Sequence, residues 1–156
     1  MKRTAGAPSA TRMIEMGAVV MVAILLLIIG GPRLIQARQQ TVADLLEQRL
    51  GDVRIAIAHM YSERSAEGRP GYPSVGELAG PGAPAIEIPV NPLTGVATVQ
   101  PATRLEAWRR EVTGAGGWRY YVDNDANPPE AVFYADVDAP THFTDPQGLP
   151  IRANEL

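Results

Sequence analysis

The pattern of apolar and polar positions changes its period along the chain. Residues 16–31, MGAVVMVAILLLIIGG, hold no charged or strongly polar side chain. With Met13 and Ile14 before them and Leu34 and Ile35 after, the apolar zone approaches the roughly 20 residues that span a bilayer. Lipid offers backbone groups no partners, so one segment crosses it only as a helix. Further on, Val42, Leu45, Leu46, Leu50, Val53, Ile57, Met60 and Tyr61 recur mainly at steps of three and four. Asp44, Glu47, Gln48, Arg49, Asp52, Arg54 and Glu63 fill most places between them, which predicts an amphipathic helix packed on a small domain. Residues 13–64 then read as one helix of about 50 residues, roughly 75 Å long. Gly30, Gly31 and Pro32 mark a kink or a melted stretch in it.

Beyond the helix the chain turns irregular. Residues 67–101 are rich in Gly and Pro. Within them Tyr72, Val75 and Leu78 predict a short turn against the helix, and residues 91–95, NPLTG, a tight turn. Ile86, Ile88 and Val90 alternate like an edge strand, with Pro89 arguing against a central one. Thr103 and Glu106 fit a capping box for a short helix over 103–112, with Leu105, Trp108 and Val112 on one face. Residues 118–122 and 131–137 alternate and are rich in aromatic and β-branched side chains, which predicts an antiparallel hairpin. The tail, 138–156, reads as a loose surface segment. The fold class expected is α+β: a long N-terminal helix, a small antiparallel sheet and long loops.

Charge sharpens this picture. Residues 1–33 carry Lys2, Arg3, Arg12 and Arg33 against Glu15 alone, a balance of +3. The remainder carries 10 basic and 16 acidic side chains, a balance of −6. The positive-inside bias places the N-terminus in the cytoplasm and the body outside. So acidic a body is a poor general partner for nucleic acid, whose phosphates need clustered Lys and Arg; Arg104, Arg109 and Arg110 form one small local basic patch at most. The absence of cysteine excludes disulfides and thiolate metal sites.

Candidate chemistry is sparse. Asp123, Asp125 and Asn127 place side-chain oxygens at alternate positions, and Glu130 follows. Such hard ligands can begin a calcium loop, but the glycine of an EF-hand is missing and Pro128 and Pro129 come instead, so a solvated hairpin turn is the competing reading. His59 lies beside the helix stripe and His142 in the tail. No nucleophile triad phrase or phosphate-cradling glycine loop appears, and the expectation is that the protein is not an enzyme.

Glu15 stands at the mouth of the apolar run. A carboxylate near lipid costs roughly 2–3 kcal/mol or more, so it is usually paired or functional. Residues 11–15, TRMIE, followed by the apolar run, resemble the start of mature type IV pilins and type II secretion pseudopilins. In that family a short basic leader precedes the cut, the fifth mature residue is Glu, and a Pro follows that Glu by seventeen residues, as Pro32 follows Glu15. Here Ala10 stands where the family usually has Gly, and Thr11 where it has Phe. Residues 116–120, GGWRY, also resemble a pseudopilin phrase that opens a strand.

The resemblance implies a pilin-like fold and three regions: a leader over 1–10, a transmembrane assembly helix over 11–35 and a periplasmic domain over 36–156. It implies cleavage between Ala10 and Thr11 by a prepilin peptidase. Glu15 would then pair with the Thr11 ammonium of a neighbouring copy. It implies residence in the bacterial inner membrane, polymerisation with copies of itself and other pseudopilins, and an assembly platform with an ATPase. Calcium near the C-terminal loops is a family feature, which bears on Asp123, Asp125, Asn127 and Glu130. A secretion pseudopilus is favoured over a type IV or competence pilus. The rival reading is a monomeric, signal-anchored binding module with 123–130 as its site.

Overall fold

The computed structural model describes the backbone of residues 10–80 and 86–156, and the side chains of 19–21, 24, 33, 37–80 and 86–156. The first helix, α1, is Ala10–Ala66, 57 residues long. The stretch at Gly30, Gly31 and Pro32, where the sequence predicts a kink or local melting, is assigned helix. A proline inside a helix withholds one N–H and crowds the carbonyl four residues before it, so a kink there is compatible with continued helix. The chain divides into two units, Met1–Arg38 and Gln39–Leu156. Among the described residues, no helix is long and apolar enough to cross a membrane; of the 16–31 run only Val19, Val20, Met21 and Ile24 have described side chains.

In the second unit, α1 buries Leu46, Leu50, Val53 and Ile57 of the predicted stripe, joined by Ala43; Val42, Met60 and Tyr61 are half-buried and Leu45 is exposed. Its end is a Schellman motif. Gly68 takes φ +77°, its N–H donates to the Ser65 carbonyl and that of Arg69 to the Arg64 carbonyl. Helix α2, Val75–Ala79, follows at once. Ser74 and Glu77 close a capping box on it, and Leu78 is buried.

Three strands follow: β1, Val99–Pro101; β2, Trp118–Asp123; and β3, Glu130–Ala135. Their order is β1-β2-β3. The hairpin of β2 and β3 is antiparallel, from Trp118 opposite Ala135 to Asp123 opposite Glu130. The sheet is not wholly antiparallel, because β1 pairs with β2 in parallel. Parallel neighbours need a crossover, and helix α3, Arg104–Arg109, lies in it. The edge strand expected at Ile86, Ile88 and Val90 does not form. Pro89 has no N–H for a ladder, and its carbonyl is instead taken by Trp118 Nε1 at 2.7 Å. Ile86 and Ile88 pack against the core singly.

The tail is also more ordered than expected. Strands β4, Pro140–Thr144, and β5, Pro150–Arg152, form an antiparallel pair. The Asp145 carboxylate accepts from the N–H groups of Gln147 and Leu149, and Gly148 takes φ +81° to close the turn. Ala153 and Asn154 are buried.

The sheet has a covered face on each side. Trp118, Tyr120, Phe133 and Ala135 join the α1 stripe and Leu78 in the main core. Tyr121 and Tyr134 point the other way and pack with Ala107 of α3. A period of two in the strands is what sorts the two sets.

Candidate functional site

The sequence directs attention first to the head of α1. Ala10 opens the helix, and Thr11, Glu15 and Pro32 lie within it; all four side chains fall outside the described residues. Of the side chains described nearby, Val19, Val20, Met21 and Ile24 are apolar and between 50% and 69% exposed, and Arg33, beside Pro32, is exposed as well. Covering a side chain of this size gains roughly 1.5–3 kcal/mol relative to leaving it in water. A run of them on one helix calls for a lipid or protein partner.

The second candidate is the loop at 123–130. Asp123 and Glu130 are the last register pair of the hairpin. Asp123 Oδ1 accepts from the N–H groups of Asp125 at 3.0 Å and Ala126 at 3.1 Å, and Oδ2 accepts from the Tyr121 hydroxyl at 3.2 Å. Burial first and Asp123 second hold the Tyr121 pKa above its ordinary value. Glu130 lies 3.3 Å from Arg104. Asn124, which sequence reasoning passed over, ties the loop to the end of α1's connection. Its amide donates to the Tyr72 carbonyl at 3.0 Å and accepts from the Tyr72 N–H at 2.7 Å. Asp125 and Asn127 are exposed. Among the described residues no group of three or more His, Cys, Asp and Glu side chains is placed to hold a metal ion.

The third locus, under α3, joins the capping box and the basic patch read from the sequence to a buried arginine that no motif marks. Arg119, next to Trp118 on β2, faces α3 and is buried. It pairs with Glu106 at 2.7 Å. Burial opposes its charge, but Tyr134 and Glu106 outweigh burial and raise its pKa. Glu106 also accepts from the Thr103 N–H at 2.6 Å and is held below the usual carboxylate range, first by Thr103 and then by Arg119. Arg110 takes φ +54° at the end of α3 and lies 5.3 Å over the Tyr134 ring. Its carbonyl accepts from the Asn154 amide at 2.7 Å. The expected basic patch is therefore divided: Arg110 turns inward, while Arg104 and Arg109 stay in solvent. Leu105 and Trp108 do not form a packed face either. Ala107 takes the buried position, because it is the residue that fits against Tyr121 and Tyr134.

Two buried side chains fix the loops around the sheet. Asn91 donates to the Gly117 carbonyl at 3.0 Å and accepts from the Leu93 N–H at 3.0 Å, which builds the predicted turn at 91–95. Asp136 accepts from the Thr113 N–H at 2.6 Å and from its hydroxyl. Such satisfied buried polar groups serve packing. The two histidines each meet a carboxylate, His59 with Glu63 at 3.5 Å and His142 with Asp44 at 3.1 Å. No family model matches the chain, and no curated protein or solved structure matches it.

Proposed function

We propose that this protein is a structural subunit that polymerises through the first part of α1 into an envelope filament, of the pseudopilus or type IV pilus kind. The observation that carries the reading is the exposed apolar surface of Val19, Val20, Met21 and Ile24 on that helix. The mixed α and β body that follows it in the chain, with one long helix and small sheets, fits the role. In this reading the segment 16–31 sits in the inner membrane with the N-terminus in the cytoplasm. A prepilin peptidase cuts between Ala10 and Thr11. The apolar helix then moves from lipid into a bundle of like helices, with an ATPase-driven platform adding copies.

Glu15 supplies the register. Its carboxylate accepts from the Thr11 ammonium of the adjacent copy, since an unpaired charge in an apolar bundle is strongly unfavourable. The pair forms only after cleavage has freed that amine. The test is Glu15→Ala and Glu15→Leu in the full chain. We expect membrane insertion at the level of the natural chain and few or no filaments by electron microscopy. Normal filaments from both variants would refute the pairing.

A further inference from the structure

Within residues 39–156, α1 and α3 cover opposite faces of the β1-β2-β3 sheet, because the residues packed against each alternate along β2 and β3. Each helix then leaves a large apolar side chain on its outward side. On α3 these are Trp108, 72% exposed, and Leu105, 58% exposed. On α1 it is Ile55, 70% exposed. Single exposed apolar residues are ordinary; their surroundings make these two a matched pair.

The Trp108 surface is edged by arginine. Arg104 lies 5.7 Å from the Trp108 ring centre and Arg109 is its neighbour in sequence. Their intramolecular partners, Glu130 at 3.3 Å and Glu111 at 3.5 Å, form exposed pairs that hold weakly. Glu106, the acid of α3, is drawn inward to Arg119. The Ile55 surface is edged by acid. Asp52 is exposed within one turn of Ile55 and Glu47 about two turns before it, with Arg49 between them; Asp44 lies farther back and meets His142 at 3.1 Å, while Arg54 turns inward and donates to the Phe133 carbonyl through Nε and Nη2.

We infer that Trp108 and Leu105 of one copy dock on the Ile55 surface of the next copy, with Arg104 and Arg109 facing its acidic rim. Two different surfaces on opposite sides of one body meet head to tail, and such a contact repeats as an open filament wherever its rotation does not close a ring. The contact is small: α3 has six residues, short of the roughly 1,200 Å² that stable interfaces bury. Tethering compensates, because neighbours held by their membrane helices meet at an effective concentration near the millimolar range. The inference thus rests on the filament reading and adds to it a contact between bodies.

The chain has no cysteine, so introduced thiols report without background. Full-length Ile55→Cys/Trp108→Cys chain in native membranes, treated with a short bis-maleimide, should give a ladder of dimers, trimers and longer species. Each single variant alone should give at least roughly ten-fold less product, since each thiol then lacks its partner. Ile55→Cys/Leu105→Cys is the second pair, in case replacing Trp108 disturbs folding. Dimers from Trp108→Cys alone at the yield of the double variant would overturn the inference in favour of α3 meeting α3. Val19→Cys, outside the body, separates the two claims. Cross-linking there with no ladder from either body pair overturns the docking and leaves the filament reading standing. No cross-linking anywhere overturns both.

Discussion

The clearest residue-scale device is Glu77. Its carboxylate accepts from the Ser74 N–H at 2.7 Å, the Ser74 hydroxyl at 2.8 Å and Arg64 at 2.8 Å. These donors, Ser74 ahead of Arg64, lower its pKa from 4.5 to about 2. The folded value lies below the unfolded one, so the stabilisation is complete above pH 4.5 and is lost as pH falls toward 2. The side chain is half exposed, and screening keeps the effect to about 1 kcal/mol. Glu77→Gln should therefore unfold at lower urea than the natural chain at pH 6, with most of that gap gone at pH 2. A gap of equal size at both would contradict the assignment. Gly117 is a second case. A Cβ there would fall on the Thr98 carbonyl oxygen, inside any real contact distance, and Gly116 beside it needs φ +83°. Backbone on both sides has no room to yield, so Gly117→Ala should cost roughly 2–3 kcal/mol in urea unfolding. A loss under 0.5 kcal/mol, on the order of an ordinary surface change, would count against that crowding.

Elements with a strong period were legible in the sequence, and those defined by distant partners were not. The α1 stripe, the α3 capping box and the β2–β3 hairpin follow from local spacing, and they form where expected. Strand β1 is three residues long and ends at Pro101, too short to show a period, and it is made by the N–H and carbonyl groups of β2. The tail pair β4 and β5 was hidden for the same reason: Pro140, Pro150 and a polar turn mask an alternation completed only by pairing. The buried Arg119 lies inside an apolar run and carried no signal at all. In the loop at 123–130, alternate oxygens were visible, but their engagement was not: Asp123 caps its own turn, and Glu130 meets Arg104. The turn is closed by protein hydrogen bonds, so removing divalent cations with a chelator should leave the melting temperature of the full chain unchanged. A drop of several degrees, restored by calcium, would instead make Asp123, Asp125, Asn127 and Glu130 a metal loop.

At the scale of the whole molecule, the first part of α1 carries apolar residues that need partners. Residues 1–33 are basic and the rest is acidic, which fits a chain held across an inner membrane with its body outside. Apolar burial alone would leave the helices free to slide along one another, because lipid and helix are equally apolar. In the proposed filament, a charge pair between Glu15 and a freed Thr11 amine would remove that freedom, and a body contact through Trp108 and Ile55 would reinforce it. The direct measurement is cross-linking of full-length Val19→Cys chain in native membranes. A filament subunit registered by Glu15 should give dimers in quantity and lose them when Glu15→Ala is added. A chain that stays monomeric in lipid, or dimers indifferent to Glu15, would contradict that role.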